Sequence, residues 1–307
     1  MIFLHSILLA VGFLMLVKGA DWFVDGTAGI AEKFGIPQLV VGLTIVAMGT
    51  SAPEAAVSIT AALKGNAGIT IGNVVGSNIL NILIILGITG VITNVAVQKS
   101  TLMVEMPYMF AITIVLLIMG ITGENINFVE GVILWLLFIA YLAYLYVLAK
   151  KGKQEETTEE RSTWRLLLAA VLGGVIVVWG SDITVDAATA IAETVGLSER
   201  FIGLTIVALG TSLPELVTSV TAARKGNADI AIGNIVGSNI FNILFVIGSS
   251  ALIIPVIFEP NFVIDTLIAA FAGVFLWISV FKTKKLTRPW GGAMLVLYAC
   301  YFTYLIL

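Results

Sequence analysis

The chain contains an internal repeat, because two segments that lie 161 residues apart have nearly the same sequence. Residues 42–83 and 203–244 align without a gap, and 31 of the 42 positions are identical. The first copy contains GLTIVAMGTSAPE, which ends at Glu54, and the second contains GLTIVALGTSLPE, which ends at Glu215. Self-similarity at one fixed offset indicates a duplicated structural unit, so we expect the chain to fold as two related halves.

The composition predicts that the solvent of this chain is a lipid bilayer. Of its 307 residues, 59% are hydrophobic and only 11% are charged, which leaves too little polar surface for a water-soluble domain. Ten apolar runs predict an all-α polytopic membrane protein with ten transmembrane helices. These runs are residues 2–19, 38–63, 69–93, 103–121, 128–149, 164–180, 201–223, 230–254, 264–281 and 289–306.

The ten runs divide equally between the halves, so each repeat is predicted to contain five transmembrane helices. The first repeat covers 1–149, a polar cytoplasmic linker covers 150–163, and the second repeat covers 164–307. Because five is odd, the second repeat enters the membrane from the opposite side, and the two repeats are inverted. If both termini lie outside the cell membrane, 14 of the 16 Lys and Arg residues lie on the cytoplasmic side, which is the usual bias.

The two glutamates of the repeated motif are predicted to lie inside the membrane. Glu54 falls in the second apolar run and Glu215 in the seventh. A charge at the centre of a bilayer costs about 2.5–3.5 kcal/mol on insertion scales, and no Lys, Arg or His lies in the middle of a predicted span. The compensating charge must therefore come from protons or from a mobile cation. The alternative is a protonated pair of glutamates that only joins two helices.

The backbone before each glutamate is also suited to cations. Pro53 and Pro214 have no N–H group and disrupt the preceding helical turn. Carbonyl groups within 47–50 and 208–211 therefore lose their normal partners, and free carbonyls are tolerated in a membrane only where they line a cavity or meet an ion. Carbonyl and carboxylate oxygens are hard ligands that suit Ca²⁺ and Na⁺.

Polar side chains recur at every fourth position in the third and eighth runs, which places them on one helix face. They are Asn73, Ser77 and Asn81 in the third run, and Asn234, Ser238 and Asn242 in the eighth. Such residues either join helices by hydrogen bonds or coordinate an ion. For Asn73 and Asn234 both roles stay open, whereas for the other four we favour coordination.

The two Gly-Thr-Ser-x-Pro-Glu segments, each followed by Gly-Asn-x-x-Gly-Ser-Asn, resemble the alpha-repeats of the sodium/calcium exchangers. This family, here in its prokaryotic form, is part of the cation/calcium exchanger superfamily. The motifs are long and specific, and the inverted ten-helix layout extends the resemblance to the whole chain. The resemblance implies a secondary active antiporter that exchanges Ca²⁺ for Na⁺ by alternating access, in which the first and sixth helices slide across a rigid core.

The resemblance also implies the residues that bind the ions near the middle of the membrane. A central Ca²⁺ site would be formed by two carboxylates, two threonine carbonyl groups and two asparagine side chains, from Glu54, Glu215, Thr50, Thr211, Asn81 and Asn242. The flanking Na⁺ sites would use two alanines and four serines, namely Ala47, Ala208, Ser51, Ser212, Ser77 and Ser238.

One departure from the family limits the choice of ions. Some relatives carry Asp where this chain has Asn81 or Asn242, and the potassium-dependent branch carries Asp in this region. Two asparagines argue against K⁺ co-transport and leave a site charge of −2, which one Ca²⁺, two Na⁺ or two protons neutralise. A H⁺/Ca²⁺ antiporter of the same superfamily is therefore the main alternative, although the retained serine hydroxyls favour Na⁺.

Other classes of protein fit the sequence less well. A cation channel could use acidic residues, but inverted repeats with broken helices favour alternating access. An intramembrane hydrolase would need paired Asp or a Ser/His arrangement, and no Asp lies mid-span and the only histidine is His5. We therefore expect no enzymatic activity.

Nothing in the sequence implies a cofactor or a protein partner, because the expected ligands are the transported ions themselves. The net charge of −3 and the lack of a basic tail indicate no nucleic-acid partner. The linker is also too short to form a regulatory Ca²⁺-sensing domain. Asp21 and Asp182, which are equivalent in the two repeats, are expected to cap turns at the membrane surface.

Overall fold

The computed structural model describes residues 2–65, 67–152, 162–194 and 208–306, and most of them are helical. The helices of the first half are α1 (Ile2–Phe34), α2 (Gln38–Thr50), α3 (Ala52–Leu63), α4 (Gly68–Ile92), α5 (Thr101–Gly123) and α6 (Phe128–Lys151). Those of the second half are α7 (Thr163–Thr194), α8 (Ala208–Thr211), α9 (Leu213–Arg224), α10 (Ala228–Ile253), α11 (Asn261–Phe281) and α12 (Arg288–Ile306). Four short strands lie between helices: β1 (Val95–Ala96), β2 (Asn125–Ile126), β3 (Val256–Ile257) and β4 (Lys285–Leu286).

The prediction of an all-helical polytopic membrane protein is confirmed. Seven of the described helices are long and apolar enough to cross a membrane, and α2 with α3 makes an eighth if this bent pair is one span. The predicted seventh span begins at residue 201, and residues 195–207 lie outside the described part of the chain. Most of the linker 150–163 lies outside it too. A total of ten spans therefore stays a prediction.

The first and sixth predicted runs are too short. The apolar runs end at residues 19 and 180, whereas α1 continues to Phe34 and α7 to Thr194. Acidic residues end the apolar runs there, but no proline lies within 20–34 or 181–194 to end the helices. The prediction that Asp21 caps a turn is consequently wrong, because Asp21 lies in the interior of α1, and the same holds for Asp182 in α7.

Helices α1 and α7 pack against each other in antiparallel fashion along a seam of glycines. Gly12 and Gly26 of α1 lie against Thr184 and Ala170 of α7, respectively. A Cβ atom added to Gly26 would lie only 2.4 Å from the main-chain nitrogen of Ala170. Small residues at such positions allow two membrane helices to approach closely. The seam therefore holds the two long helices together as a pair.

Replacing Gly26 with alanine is expected to lower the melting temperature of the detergent-solubilised protein by several degrees. The added methyl group would force the main chains of α1 and α7 apart, and overpacking of this kind costs about 1–3 kcal/mol. Tryptophan fluorescence during heating measures the effect. Gly292→Ala serves as the matched control, because no atom lies within 4 Å of a Cβ added there. Equal melting temperatures for the two variants would contradict the close seam.

Helices α4 and α10 form the centre of the molecule. Within its most apolar window, 94% of α10 and 72% of α4 are buried inside the protein, against 17% of α1. The two helices that carry the polar stripes are therefore shielded from lipid, whereas α1 is largely exposed to it. Buried polar groups on α4 and α10 must find their partners within the protein.

Two small antiparallel ladders join the halves. Strand β1 of the first half pairs with β4 of the second, with Val95 opposite Leu286, and β2 pairs with β3, with Asn125 opposite Ile257. The repeat offset of 161 residues carries β1 onto β3. Equivalent strands therefore occupy different ladders, as expected for two repeats that exchange places about a pseudo-twofold axis.

Candidate cation site

Both helices that carry the repeated motif are broken at the same serine. Between α2 and α3 the chain bends by 50° at Ser51, which has φ −82° and ψ 9°. Ser212 separates α8 from α9 with nearly the same dihedral angles, φ −91° and ψ 4°. A proline lies in the first turn of each new helix, where its missing N–H costs nothing. The break occurs after the predicted carbonyl segments 47–50 and 208–211.

Each break places one glutamate in the first turn of a new helix, where the helix dipole favours an anion. Glu54 is 1% exposed and Glu215 is fully buried. Each carboxylate accepts a hydrogen bond from the serine of the other repeat. Ser51 Oγ donates to Glu215 Oε1 at 2.8 Å, and Ser212 Oγ donates to Glu54 Oε1 at 3.5 Å. The two breaks therefore meet at one place between the repeats.

Four oxygens of this region are buried and have no hydrogen-bond partner among the described residues. They are Glu54 Oε2, Glu215 Oε2, Asn81 Oδ1 and Asn242 Oδ1. All four can accept but not donate when the glutamates are ionised, so they cannot satisfy one another. Leaving a buried acceptor unsatisfied costs about 1–3 kcal/mol, and more for a charged group. Contact with a cation would remove this cost for each such oxygen.

The asparagines stand at local changes in helical geometry. Asn81 begins a π-helical segment, Asn81–Ile85, within α4, and Asn242 begins the equivalent segment, Asn242–Ile247, within α10. Single π-helical turns inside α-helices are frequent at functional sites. These turns were not predicted from the sequence.

Contacts across the repeats are made by two of the other predicted site residues, Ala47 and Ser238. Thr50 Oγ1 donates to the carbonyl oxygens of Val46 and Ala47, at 3.1 and 3.3 Å, and Ser238 Oγ also donates to Ala47 O, at 3.3 Å. Ser77 is buried in α4. Thr211 is half-buried at the end of α8, and Ala208 begins this helix.

Asn73 and Asn234 bind the broken helices, and Asn234 Oδ1 also accepts a hydrogen bond from Thr50 Oγ1 of the other repeat, at 3.0 Å. Asn73 Nδ2 donates to Ser58 Oγ at 2.9 Å and to the carbonyl oxygen of Glu54 at 3.2 Å. Asn234 makes the equivalent bonds, to Ser219 Oγ at 2.9 Å and to the carbonyl oxygen of Glu215 at 3.4 Å. Of the two roles that the sequence left open, these contacts favour the joining of helices.

A cavity of about 580 Å³ leads from the surface to the second broken helix. Its walls are formed by α3, α7 and α8, and they include Pro53, Ser181 and Thr211. Ser181 Oγ donates to the carbonyl oxygen of Gly210 at 2.7 Å. This is the carbonyl that Pro214 leaves without its normal helical partner. The cavity therefore reaches the break of the second repeat at Gly210 and Thr211.

Comparison with known proteins identifies the fold and family. A family model described as sodium/calcium exchanger protein matches residues 4–147 and again residues 165–307. The chain is 32% identical over 340 residues to the sodium/calcium exchanger MaX1 of Methanosarcina acetivorans, and the alignment covers 97% of each chain. It is 35% identical over 311 residues to the putative antiporter CaxA of Alkalimonas amylolytica, covering 96% of this chain and 97% of the relative.

Among solved structures, the sodium–calcium exchanger NCX_Mj superposes on this chain with a TM-score of 0.87. The two are 31% identical, and the superposition covers 99% of each chain. The match to the family model in both halves, the full-length relatives and the shared structure agree with one another. The chain therefore belongs to the sodium/calcium exchanger family of membrane transporters.

Proposed function

We propose that this protein is a secondary antiporter that exchanges Ca²⁺ for Na⁺ across the cell membrane by alternating access. The observation that carries the proposal is the group of four buried oxygens that have no partner in the described part of the chain, at Glu54, Glu215, Asn81 and Asn242. Hard oxygen donors of this kind suit Ca²⁺ and Na⁺. NCX_Mj, whose structure matches, was soaked with Na⁺ together with Ca²⁺ or Sr²⁺.

The proposed ligands are those that the repeated motifs predict. The central Ca²⁺ site consists of Glu54, Glu215, Asn81, Asn242 and the carbonyl groups of Thr50 and Thr211. The flanking Na⁺ sites consist of Ala47, Ser51, Ser77, Ala208, Ser212 and Ser238. The crossed serine–glutamate hydrogen bonds support this assignment, because they connect the flanking hydroxyls directly to the central carboxylates.

The charge of the site explains why two kinds of ion compete for it. Two ionised glutamates give −2, which one Ca²⁺ or two Na⁺ neutralise. Because the carboxylates lie in a poorly solvated interior, an uncompensated charge there is costly. The site is therefore rarely empty, and Ca²⁺ leaves when Na⁺ replaces it. Such exchange couples the two ion gradients without any chemical step.

The proposed architecture has ten transmembrane helices in two inverted repeats, over 1–149 and 164–307, joined by a cytoplasmic linker at 150–163. Both termini lie outside. The exchanged strand ladders and the two equivalent helix breaks support the inversion. Alternating access follows if the α1–α7 pair slides across the rigid centre formed by α4 and α10.

Uptake of ⁴⁵Ca²⁺ into liposomes loaded with Na⁺, at equal pH inside and outside, tests the proposed coupling. We expect uptake that requires internal Na⁺ and is absent when internal K⁺ replaces it. Uptake that requires an outward proton gradient instead would assign the protein to the H⁺/Ca²⁺ branch. Uptake with neither gradient, which follows the membrane potential without saturating, would indicate a channel.

A further inference from the structure

A second pair of asparagines lies at the centre of the molecule, next to the candidate ligands but not among them. Asn78 of α4 and Asn239 of α10 are equivalent in the two repeats, and both are at least 97% buried. Asn78 Nδ2 donates to the main-chain oxygen of Asn239 at 3.2 Å, and Asn239 Nδ2 donates to the main-chain oxygen of Asn78 at 3.1 Å. This reciprocal contact ties the repeats together.

The side-chain oxygens of this pair hold the two candidate ligand asparagines. Asn81 Nδ2 donates to Asn239 Oδ1 at 2.9 Å, and Asn242 Nδ2 donates to Asn78 Oδ1 at 3.2 Å. Each ligand asparagine is thus held by the opposite repeat. Its remaining atom, Oδ1, is one of the four oxygens without a partner.

Only one orientation of the four amide groups satisfies these contacts. A main-chain carbonyl can only accept, so the nitrogen end of Asn78 must face Asn239 O, and its oxygen end must face Asn242. The nitrogen end of Asn242 must then face Asn78, and its oxygen end points away from the pair. In the same way, Asn239 Nδ2 must face the main-chain oxygen of Asn78, which leaves Asn239 Oδ1 to accept from Asn81 Nδ2. The side-chain oxygen of Asn81 then also points away from the pair. Without these anchors the amide groups could rotate by half a turn and present N–H groups, which repel a cation.

We propose that Asn78 and Asn239 are positioning residues that orient the side-chain oxygens of Asn242 and Asn81, respectively, for cation binding. The inference rests on the proposed function of the site. It adds a crossed dependence, in which each repeat positions a ligand of the other. Partners that orient metal ligands typically change metal affinity about 10–100-fold when they are removed.

A double-mutant cycle tests this crossed dependence, with ⁴⁵Ca²⁺ binding to the purified full-length protein as the measurement. Asn239→Ala is expected to raise the Kd for Ca²⁺ by about tenfold or more. In a chain that already carries Asn81→Ala, the same substitution should change Kd less than about twofold, because no amide is left to orient. In a chain with Asn242→Ala it should retain its full effect. Asn78→Ala should show the opposite pattern.

Two further measurements keep the test decisive. If the alanine variants unfold, Asn239→Ser and Asn78→Ser replace them, since a hydroxyl still accepts a hydrogen bond, and smaller but equally crossed effects are expected. The positioning role would be overturned if the effects of the single substitutions on Kd were additive in the double variants. It would also be overturned if Asn239 were coupled equally to Asn81 and Asn242. In both cases the natural protein would still bind Ca²⁺. An absence of Ca²⁺ binding in the natural protein would instead overturn the proposed function itself.

Two equivalent groups of charged residues, which we expect at opposite faces of the membrane, differ in this structure. On one face, Lys225 Nζ lies 2.9 Å from Asp25 Oδ1 and 3.1 Å from Asp21 Oδ1, so that α1 is joined to the end of α9. Burial alone would lower the pKa of Lys225, but its hydrogen bonds to Asp25 and Asp21 outweigh burial and raise it. Leu213 and Val217 of α9 pack against Leu16 and Ala20 of α1 and Val177 of α7.

The equivalent residues on the other face are apart. Among the described residues, Lys64 forms no ion pair with Asp182 or Asp186, although the repeat makes these the counterparts of Lys225, Asp21 and Asp25. Asp182 and Asp186 instead line the 580 Å³ cavity. Lys64 lines a neighbouring cavity of about 690 Å³ that shares Ala56 and Val57 with the first.

We infer that these two charged trios are alternating latches, each of which closes one face of the transporter. The trio Lys225, Asp21 and Asp25 is closed in the conformation described here, and the trio Lys64, Asp182 and Asp186 closes when the α1–α7 pair slides to the opposite state. Because the two trios are equivalent by the repeat, the ion pair gained at one face is similar to the pair lost at the other. The two states can therefore lie close in free energy.

Cross-linking of cysteine pairs with a short bis-maleimide tests the latches in the full-length protein, with Cys300→Ser as the background. One variant carries Asp25→Cys and Lys225→Cys, and the other carries Asp186→Cys and Lys64→Cys. Both pairs are expected to cross-link, and either cross-link should abolish exchange. When all four cysteines are present, one protein molecule should form only one of the two links. Failure of the 186–64 pair to link under any ion condition, or both links in one molecule, would overturn the inference.

Discussion

Replacing Glu54 or Glu215 with glutamine is expected to reduce Na⁺-driven ⁴⁵Ca²⁺ uptake to background. Glutamine preserves the shape of the side chain but changes the site charge from −2 to −1, so a bound Ca²⁺ would leave a net positive charge in a poorly solvated interior. At an effective dielectric constant of about 20, a unit charge 4 Å away contributes about 4 kcal/mol, which corresponds to roughly a thousandfold in affinity.

Glu259→Gln is the matched control, because Glu259 is exposed and its loss should leave uptake unchanged. Melting temperature provides a second readout. Ca²⁺ should raise the melting temperature of the natural protein, since a ligand that binds only the folded state stabilises it, but not that of either glutamine variant. Substantial exchange in Glu54→Gln or Glu215→Gln would remove the carboxylates from the transport site.

The second large effect is expected at the ligand asparagines. Asn81→Leu and Asn242→Leu each remove one unpartnered oxygen at nearly constant volume, and we expect the Kd for Ca²⁺ to rise about 10–100-fold. Asn73→Leu is the internal control, because its amide binds Ser58 and the backbone of the broken helix rather than pointing to the site. It should lower the melting temperature and leave the Kd within about threefold.

Titration calorimetry on the purified variants measures the Kd for Ca²⁺ in each case. If Asn73→Leu weakened Ca²⁺ binding as much as Asn81→Leu does, the distinction between joining and coordinating asparagines would be wrong. If neither Asn81→Leu nor Asn242→Leu changed the Kd, their unpartnered oxygens would have no part in the site.

The features that the sequence predicts well are those with a local physical cause. A proline lacks an N–H wherever it stands, so Pro53 and Pro214 predict a broken helix without any knowledge of its neighbours. Spacing by four residues predicts one helix face, but of the asparagines on the two stripes Asn81 and Asn242 have buried oxygens without partners among the described residues, whereas Asn73 and Asn234 bind the broken helices. The inversion, which rests on an odd number of spans in each repeat, stays a prediction that the exchanged strand ladders support.

The features that the sequence does not predict depend on how distant elements meet. Asn78 follows Ser77 directly and so lies off the polar stripe, and its role appears only when α4 crosses α10. Its identity with Asn239 in the two repeats was the available indication. The length of α1 was underestimated because the charge of Asp21 ends the apolar run. In the fold this charge is neutralised by Lys225, which lies 204 residues away in the sequence.

The difference between the two faces cannot be derived from the sequence at all. The two repeats are nearly identical around Lys64 and Lys225, yet among the described residues Lys225 forms an ion pair with Asp25 and Lys64 forms none with Asp186. Two inverted copies of one sequence can be arranged in two complementary ways. The structure shows one arrangement, and the alternating access that we propose requires both.

The central claim is that one buried site binds Ca²⁺ and Na⁺ in competition, and equilibrium binding of ⁴⁵Ca²⁺ to the purified protein tests it most directly. We predict that Na⁺ displaces Ca²⁺ completely, with a Hill coefficient above 1 because at least two Na⁺ replace one Ca²⁺, and that K⁺ at the same ionic strength does not. Saturable Ca²⁺ binding that Na⁺ leaves unchanged, or that persists in Glu54→Gln, would contradict the account.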